Sequence, residues 1–163
     1  MDLIHFDLQD IPDESLRKTG KLLEQSFLGV LLIFAINGFV NIVGIALDRE
    51  QYPPVKGLYT IFHSFIFIFL GIWTLYKGYK TLCGINEKMG YRLLEFGMLA
   101  FCGVAFVANV FCYHGVMGMV AMFVEGEVIL GILILIEVIV VGLVFAARCY
   151  SIYSMMVDLP DLP

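Results

Sequence analysis

The sequence predicts an all-α membrane protein, a four-transmembrane-helix bundle with both termini in the cytosol, and three observations carry that expectation. Hydrophobic residues fill 60% of the 163 positions, and the mean hydropathy is +0.89. Soluble domains are only about half apolar, so one small core cannot bury this much apolar surface and lipid has to be part of the solvent. Charged residues make up 15% of the chain and fall in clusters between long apolar stretches. Four of those stretches, residues 27–47, 58–76, 93–113 and 127–149, hold the roughly 20 residues that cross a hydrocarbon core about 30 Å thick.

Residues 1–26 form a cytosolic segment in this reading. The amino terminus, MDLIHFDLQD, has three Asp and no basic residue, unlike a cleavable signal peptide, which leaves the first span to act as the signal. Asp10-Ile-Pro-Asp-Glu has the form of a helix start, with Pro12 in the first turn and acids facing the positive end of the dipole. Leu16, Leu23 and Phe27 then recur at helical spacing while Arg17, Lys18 and Lys21 fill the remaining surface, which predicts a short amphipathic helix lying on the cytosolic leaflet. Between the third and fourth spans, Gly115–Val124 is apolar but too short to cross. With Gly115 and Gly118 it predicts a tight lumenal hairpin at the interface and no fifth helix. Residues 154–163 form a short cytosolic tail, whose two prolines argue against helix.

Orientation follows from the basic residues. Arg17, Lys18 and Lys21 precede the first span, Lys77, Lys80, Lys88 and Arg92 separate the second from the third, and Arg148 ends the fourth, which puts eight cations on one side. Arg49 and Lys56 are the two on the other. The excess marks the cytosolic side.

Several function classes are excluded. The net charge is −5 and no basic surface could neutralise a run of phosphates, so nucleic acid is not an expected partner. The four cysteines form no CxxC and no extracellular pair, so structural disulfides are not expected. There is no GxSxG, HExxH or phosphate-cradling glycine loop, and His5, His63 and His114 lie at different depths or sides of the membrane. Neither catalysis, cofactor nor metal is expected.

What asks for explanation is the polar content of the spans, because an ionisable group at a bilayer centre costs ~2.5 to 3.5 kcal/mol on insertion scales. Glu137 lies midway along the fourth span and Asn37 midway along the first, so they share a depth if those helices touch. Asn41 and His63 form a second layer one turn nearer the lumen, with Asn109 close to it. Two readings compete: a proton- or ion-coupled relay of a small transporter or channel through Glu137 and His63, or a carboxyl and amides acting as interhelical hydrogen-bond glue. Glu95 and Glu127 sit at span ends, where water is within reach.

The stretch Trp73–Arg92 mixes aromatic rings with four cations and one acid, Glu87. In the headgroup zone Trp73, Tyr76, Tyr79 and Tyr91 would sit at the acyl boundary while Lys77, Lys80, Lys88 and Arg92 reach anionic lipid, at ~1 kcal/mol per cation. Tyr79-Lys80-Thr81-Leu82 also fits a tyrosine-based sorting signal.

From about Phe6 to Tyr153 the chain resembles the secretory carrier-associated membrane proteins, the SCAMP family of vesicle tetraspans. The resemblance rests on Asp10-Ile-Pro12 ahead of the first span, Asn41-Ile-Val-Gly44 near its lumenal end, Tyr76-Lys77-Gly78-Tyr79-Lys80 on the cytosolic side and His114-Gly-Val-Met-Gly118 between the last two spans. Where the family's cytosolic segment opens Cys-Trp-Tyr-Arg-Pro, this chain has Trp73-Thr74-Leu75, without that Arg or Pro. The chain holds no Asn-Pro-Phe, as in the family's short form, so endocytic adaptors that read that motif are not implied. The resemblance implies a multi-pass protein of the Golgi and trans-Golgi network, recycling endosome and plasma membrane, acting in vesicle-mediated protein transport and membrane recycling. Its implied partners are membrane lipids, anionic phosphoinositides among them, other membrane or trafficking proteins, and further copies of itself. A structural subunit of a larger membrane complex is the remaining rival.

Overall fold

The computed structural model describes residues 7–47, 54–85, 88–111 and 118–158, and the described residues are helical apart from short turns. Five α-helices follow a 3-10 turn at Leu8–Asp10: α1 (Glu14–Leu47), α2 (Pro54–Leu82), α3 (Lys88–Phe111), α4 (Met119–Val124) and α5 (Val128–Asp158). The four long helices run up and down around one axis, each packed on its neighbours in the ring α1–α2–α3–α5. The start of α1 and the end of α5 therefore share one end, here called proximal, and α4 closes the distal end.

Burial explains why the ring closes. Leu16, Thr19, Leu23, Ser26, Val30, Ile33 and Val40 are buried on α1, and Leu130, Ile134, Glu137, Val141, Val144, Arg148, Ser151 and Met155 on α5. The alternating spacing of three and four residues is the 3.5-residue period of left-handed, knobs-into-holes packing. On α2 the same period runs through Ser64, Phe67, Gly71, Thr74, Gly78 and Thr81. Three apolar clusters fill the axis. The proximal one contains Ile11, Leu16, Leu23, Leu75, Leu82, Tyr91 and Met155. A central one contains Val30, Ile33, Phe67, Met98, Cys102, Val141 and Val144, and a distal one Val40, Met122, Leu130, Ile134 and Val138.

The outside is as apolar as the inside. Leu28, Leu32, Phe39, Phe62, Phe65, Phe69, Phe96, Val104, Ile139 and Leu143 are all exposed. Glu14–Val43, Met89–Phe111 and Val128–Val157 are long and apolar enough to cross a membrane.

Several expectations are corrected. The amphipathic segment before residue 27 is no separate helix on a leaflet but the opening stretch of α1, because nothing between Glu14 and Phe27 breaks the helix and Leu16 and Leu23 are buried in the proximal cluster. Trp73–Leu82 is helix rather than loop; the turn comes at Gly84, whose φ of 73° suits a residue without Cβ. A short helix, α4, does form within the expected distal hairpin, since Met122 has the distal cluster to pack against. The tail stays helical to Asp158, because Ser151, Ile152, Ser154 and Met155 are buried where α5 packs on α1. Residues 159–163, His5, Arg49, Glu87, Cys112 and His114 lie outside the described residues, as does most of the expected hairpin's first half.

Candidate functional site

Two polar layers interrupt the apolar axis. In the inner layer the Asn109 amide of α3 donates to Glu137 Oε1 of α5 at 3.0 Å, and the Asn37 amide of α1 donates to the same oxygen at 3.2 Å. Asn41 extends the layer along α1, its amide lying 2.7 Å from the Asn37 carbonyl and 2.9 Å from Asn37 Oδ1. Three helices thus meet through one carboxyl oxygen. The expected meeting of Asn37 and Glu137 is present, and Asn109 belongs with them. Asn41, expected in a second layer, joins this one instead. His63 of α2 stacks on Phe101 of α3, ring centroids 4.2 Å apart and planes 19° from parallel. The central cluster lies on one side of this layer and the distal cluster, with Met119 and Met122 of α4, on the other.

A layer of Arg148, Glu95 and Thr74 was not expected. Arg148 and Glu95 are both 0% exposed, with Arg148 Nη1 3.2 Å from Glu95 Oε2. The same nitrogen donates to Thr74 Oγ1 at 2.9 Å, so α2, α3 and α5 are tied together. Arg148 Nε and Nη2 and the Tyr91 hydroxyl are buried without a hydrogen-bond partner among the described residues. Glu95 is therefore not a water-accessible span end, Tyr91 is not at an acyl boundary, and Arg148 is not a loop cation. Glu137 and Arg148 stand eleven residues apart on α5, three helical turns, and this spacing was the available signal that both face inward. Nearer the proximal end, Thr19 and Ser154 hydroxyls meet at 2.7 Å across α1 and α5.

The residues expected to bind lipid or partners do share the proximal end. Trp73 is exposed on α2, edge-on to Phe69 with centroids 5.8 Å apart. Lys80 Nζ lies 4.4 Å over the Tyr76 ring, a cation–π contact that leaves the charge at the surface. Lys77 and Arg92 are half-exposed, Lys88 opens α3, and Arg17, Lys18 and Lys21 are exposed on α1. Tyr150 and Tyr153 of α5 are exposed at the same end. Tyr79 differs from the rest: its hydroxyl lies 2.7 Å from Asp10 Oδ2 and 3.1 Å from the Asp7 carbonyl, holding the amino-terminal segment. Desolvation, with Asp10 beside it, raises the phenol well above its ordinary value. Burial likewise pushes the neighbouring Cys83 thiol up.

Comparison with protein-family models, curated proteins and solved structures finds no match. The side chains themselves are what a functional reading has to stand on.

Proposed function

We propose that the chain is a four-pass membrane protein with both termini cytosolic, of the secretory-carrier type, working in vesicle traffic by gathering anionic lipid and partner proteins at its proximal face. What carries this reading is the composition of that face: Arg17, Lys18, Lys21, Lys77, Lys80 and Arg92 of α1, α2 and α3 share one end with the exposed acids Asp10, Asp13, Glu14 and Glu24, and Trp73, Tyr76, Tyr150 and Tyr153 lie there too. Aromatic rings at the acyl boundary with cations beyond them are the pattern of a cytosolic headgroup zone. A fourth crossing is supported by α2, which carries no Asp, Glu, Lys or Arg from Gly57 to Tyr76 and packs between α1 and α3. Hydrogen-bond glue is the role favoured for Glu137, because its layer lies between two apolar clusters while a relay needs a wetted path.

The test has two arms, in cells and on purified protein. A tagged copy should reside in Golgi, recycling endosome and plasma membrane, and anionic phospholipid should co-purify with it. Replacing Lys18, Lys21, Lys77, Lys80 and Arg92 by Gln should remove most of that lipid and leave the fold intact. Residence confined to a membrane outside the vesicle cycle, or lipid composition unchanged by the five substitutions, would overturn the proposal.

A further inference from the structure

The amino-terminal segment does more than lead into α1. From Asp7 it turns back over the proximal end and seats two side chains: Ile11 is fully buried, and Leu8 packs against the same cluster. The segment is fastened at three points. The Tyr79 hydroxyl reaches Asp10 and the Asp7 carbonyl, and Arg17 Nε donates to the Ile11 carbonyl at 2.9 Å. Beneath it α1 carries Gly20, and a Cβ there would stand 2.7 Å from Ile11 Cδ1 and 3.0 Å from Leu8 Cδ2. The next atom, Leu82 Cδ1, would be at an ordinary 3.6 Å. The absent side chain at Gly20 thus leaves room that Ile11 and Leu8 fill.

The fit is incomplete. A cavity of about 10 Å³, room for one water, remains between Leu8, Gly20, Leu23, Glu24 and Tyr79. Atoms facing a gap lose part of their dispersion energy, and it is the Leu8 end of the strap, not Ile11, that borders this one. Its backbone makes a single 3-10 turn joined to α1 through Pro12, so it can leave without unwinding a helix.

We propose that the notch over Gly20, with Tyr79 at its rim, is a recognition slot for a short acidic–apolar peptide segment, and that residues Leu8–Ile11 occupy it in cis as a releasable pseudo-ligand. The partner chemistry is read from the strap: two aliphatic side chains three residues apart fill the notch, and a carboxylate one residue before the second accepts from the Tyr79 hydroxyl. A partner protein presenting such a segment at the cytosolic face would displace the strap. Cys83 reports the exchange, because its thiol packs against the cluster that holds Ile11 and Leu8: burial pushes its pKa up, the Tyr79 hydrogen bond acts against that and Asp10 adds to it, and lifting the strap takes Asp10 away.

The experiment uses full-length protein in lipid nanodiscs and follows maleimide alkylation of Cys83 by peptide mass spectrometry. A strap variant, Leu8→Ser with Ile11→Ser, leaves the slot intact but unfilled. It should react at least about twofold faster near neutral pH, since lifting the strap uncovers the thiol and takes Asp10 from beside it, and thiolate is the reactive form. A synthetic peptide of residues 7–13 added in trans should return the rate to that of the unaltered chain, and its Asp10→Asn version should protect less. Gly20→Ala should crowd Ile11 Cδ1 and Leu8 Cδ2, the movable ends of their side chains, and so raise the Cys83 rate less than the strap variant does while weakening protection by the peptide. An unchanged Cys83 rate in both variants would show that the strap is no latch. Acceleration in the strap variant without protection by saturating peptide would overturn the recognition slot.

Discussion

The Arg148–Glu95 pair offers the sharpest test of the packing. Both side chains are fully enclosed, and only Nη1 of the guanidinium is engaged, by Glu95 and Thr74. Removing one partner of such a buried pair costs about 3–5 kcal/mol, since the other is left desolvated without compensation. Glu95→Gln strands a guanidinium that already has two unpartnered nitrogens. Arg148→Met strands Glu95 and deprives the Thr74 hydroxyl of a donor, worth ~1 kcal/mol more. Replacing both, by Met at 148 and Leu at 95, removes the charges together and fills similar volume, so it should be neutral or stabilising by as much as ~1–4 kcal/mol. For a domain of this size 1 kcal/mol shifts Tm by roughly 2–4 °C, so each single variant should melt roughly 10 °C lower and the double variant at or above the unaltered chain. Thermal unfolding of detergent-purified protein, read as a double-mutant cycle, measures the coupling directly. Single variants within ~2 °C of the unaltered chain, or a double variant as unstable as the worse single, would refute this account of the layer.

Three further outcomes follow. Glu137→Gln keeps an acceptor for Asn37 and Asn109 and should stay within about 0.5 kcal/mol in the same assay, whereas Glu137→Leu should lose ~1–3 kcal/mol by leaving both amides unpartnered; loss of biological activity in a stable, correctly localised Gln variant would restore the relay. Thr19→Val and Ser154→Ala each remove the same 2.7 Å contact, so their effects should not add, and a double-mutant cycle measures the coupling energy. Cys83 in intact cells should resist an impermeant maleimide until the membrane is permeabilised, and labelling beforehand would reverse the proposed orientation. With its thiol pKa raised by burial, Cys83 should also lag a free peptide thiol at neutral pH and catch up as pH rises, which a pH series of the permeabilised sample measures.

How far this arrangement is legible in the sequence depends on which residues are consulted. Apolar length places the long helices to within a few residues at most ends, but it misses the proximal extensions, since residues 14–26, 77–82 and 150–158 are too polar to count as span. They are helical because Leu16, Leu23, Leu82 and Met155 bury one another beyond the apolar belt. Which face points inward is hidden from hydropathy, because Leu28 and Ile139 outside are as apolar as Val30 and Val141 inside. Polar residues carry that information. Thr19, Ser26, Glu95, Asn109, Glu137, Arg148 and Ser151 all lie inward. Judging Glu95 and Arg148 separately, by distance from a span end, misses their pairing; tracing α5 inward from Glu137 in steps of three and four reaches Arg148. The strap was less legible still, since Asp10-Ile-Pro marks a helix start but nothing in it shows that Gly20, nine residues on, receives Ile11.

The polar layers also answer a question that apolar packing leaves open, namely what fixes the register of these helices. Lipid is as apolar as Leu, so sliding one helix past another changes little hydrophobic energy, and close packing alone tolerates exchange of Val, Leu and Ile between equivalent positions. Moving α5 by one heptad against α1 would set Val144 opposite Asn37 and bury Glu137 beside Val40 and Met122, a carboxyl among apolar side chains. The same slide would part Arg148 from Glu95 and Thr74. Each layer joins a different set of helices: α1, α3 and α5 through Glu137, α2, α3 and α5 through Arg148, and α1 and α5 through Thr19 and Ser154. No long helix can shift without orphaning a buried polar group, so one arrangement is selected although the individual bonds are each worth under about 1 kcal/mol in a membrane.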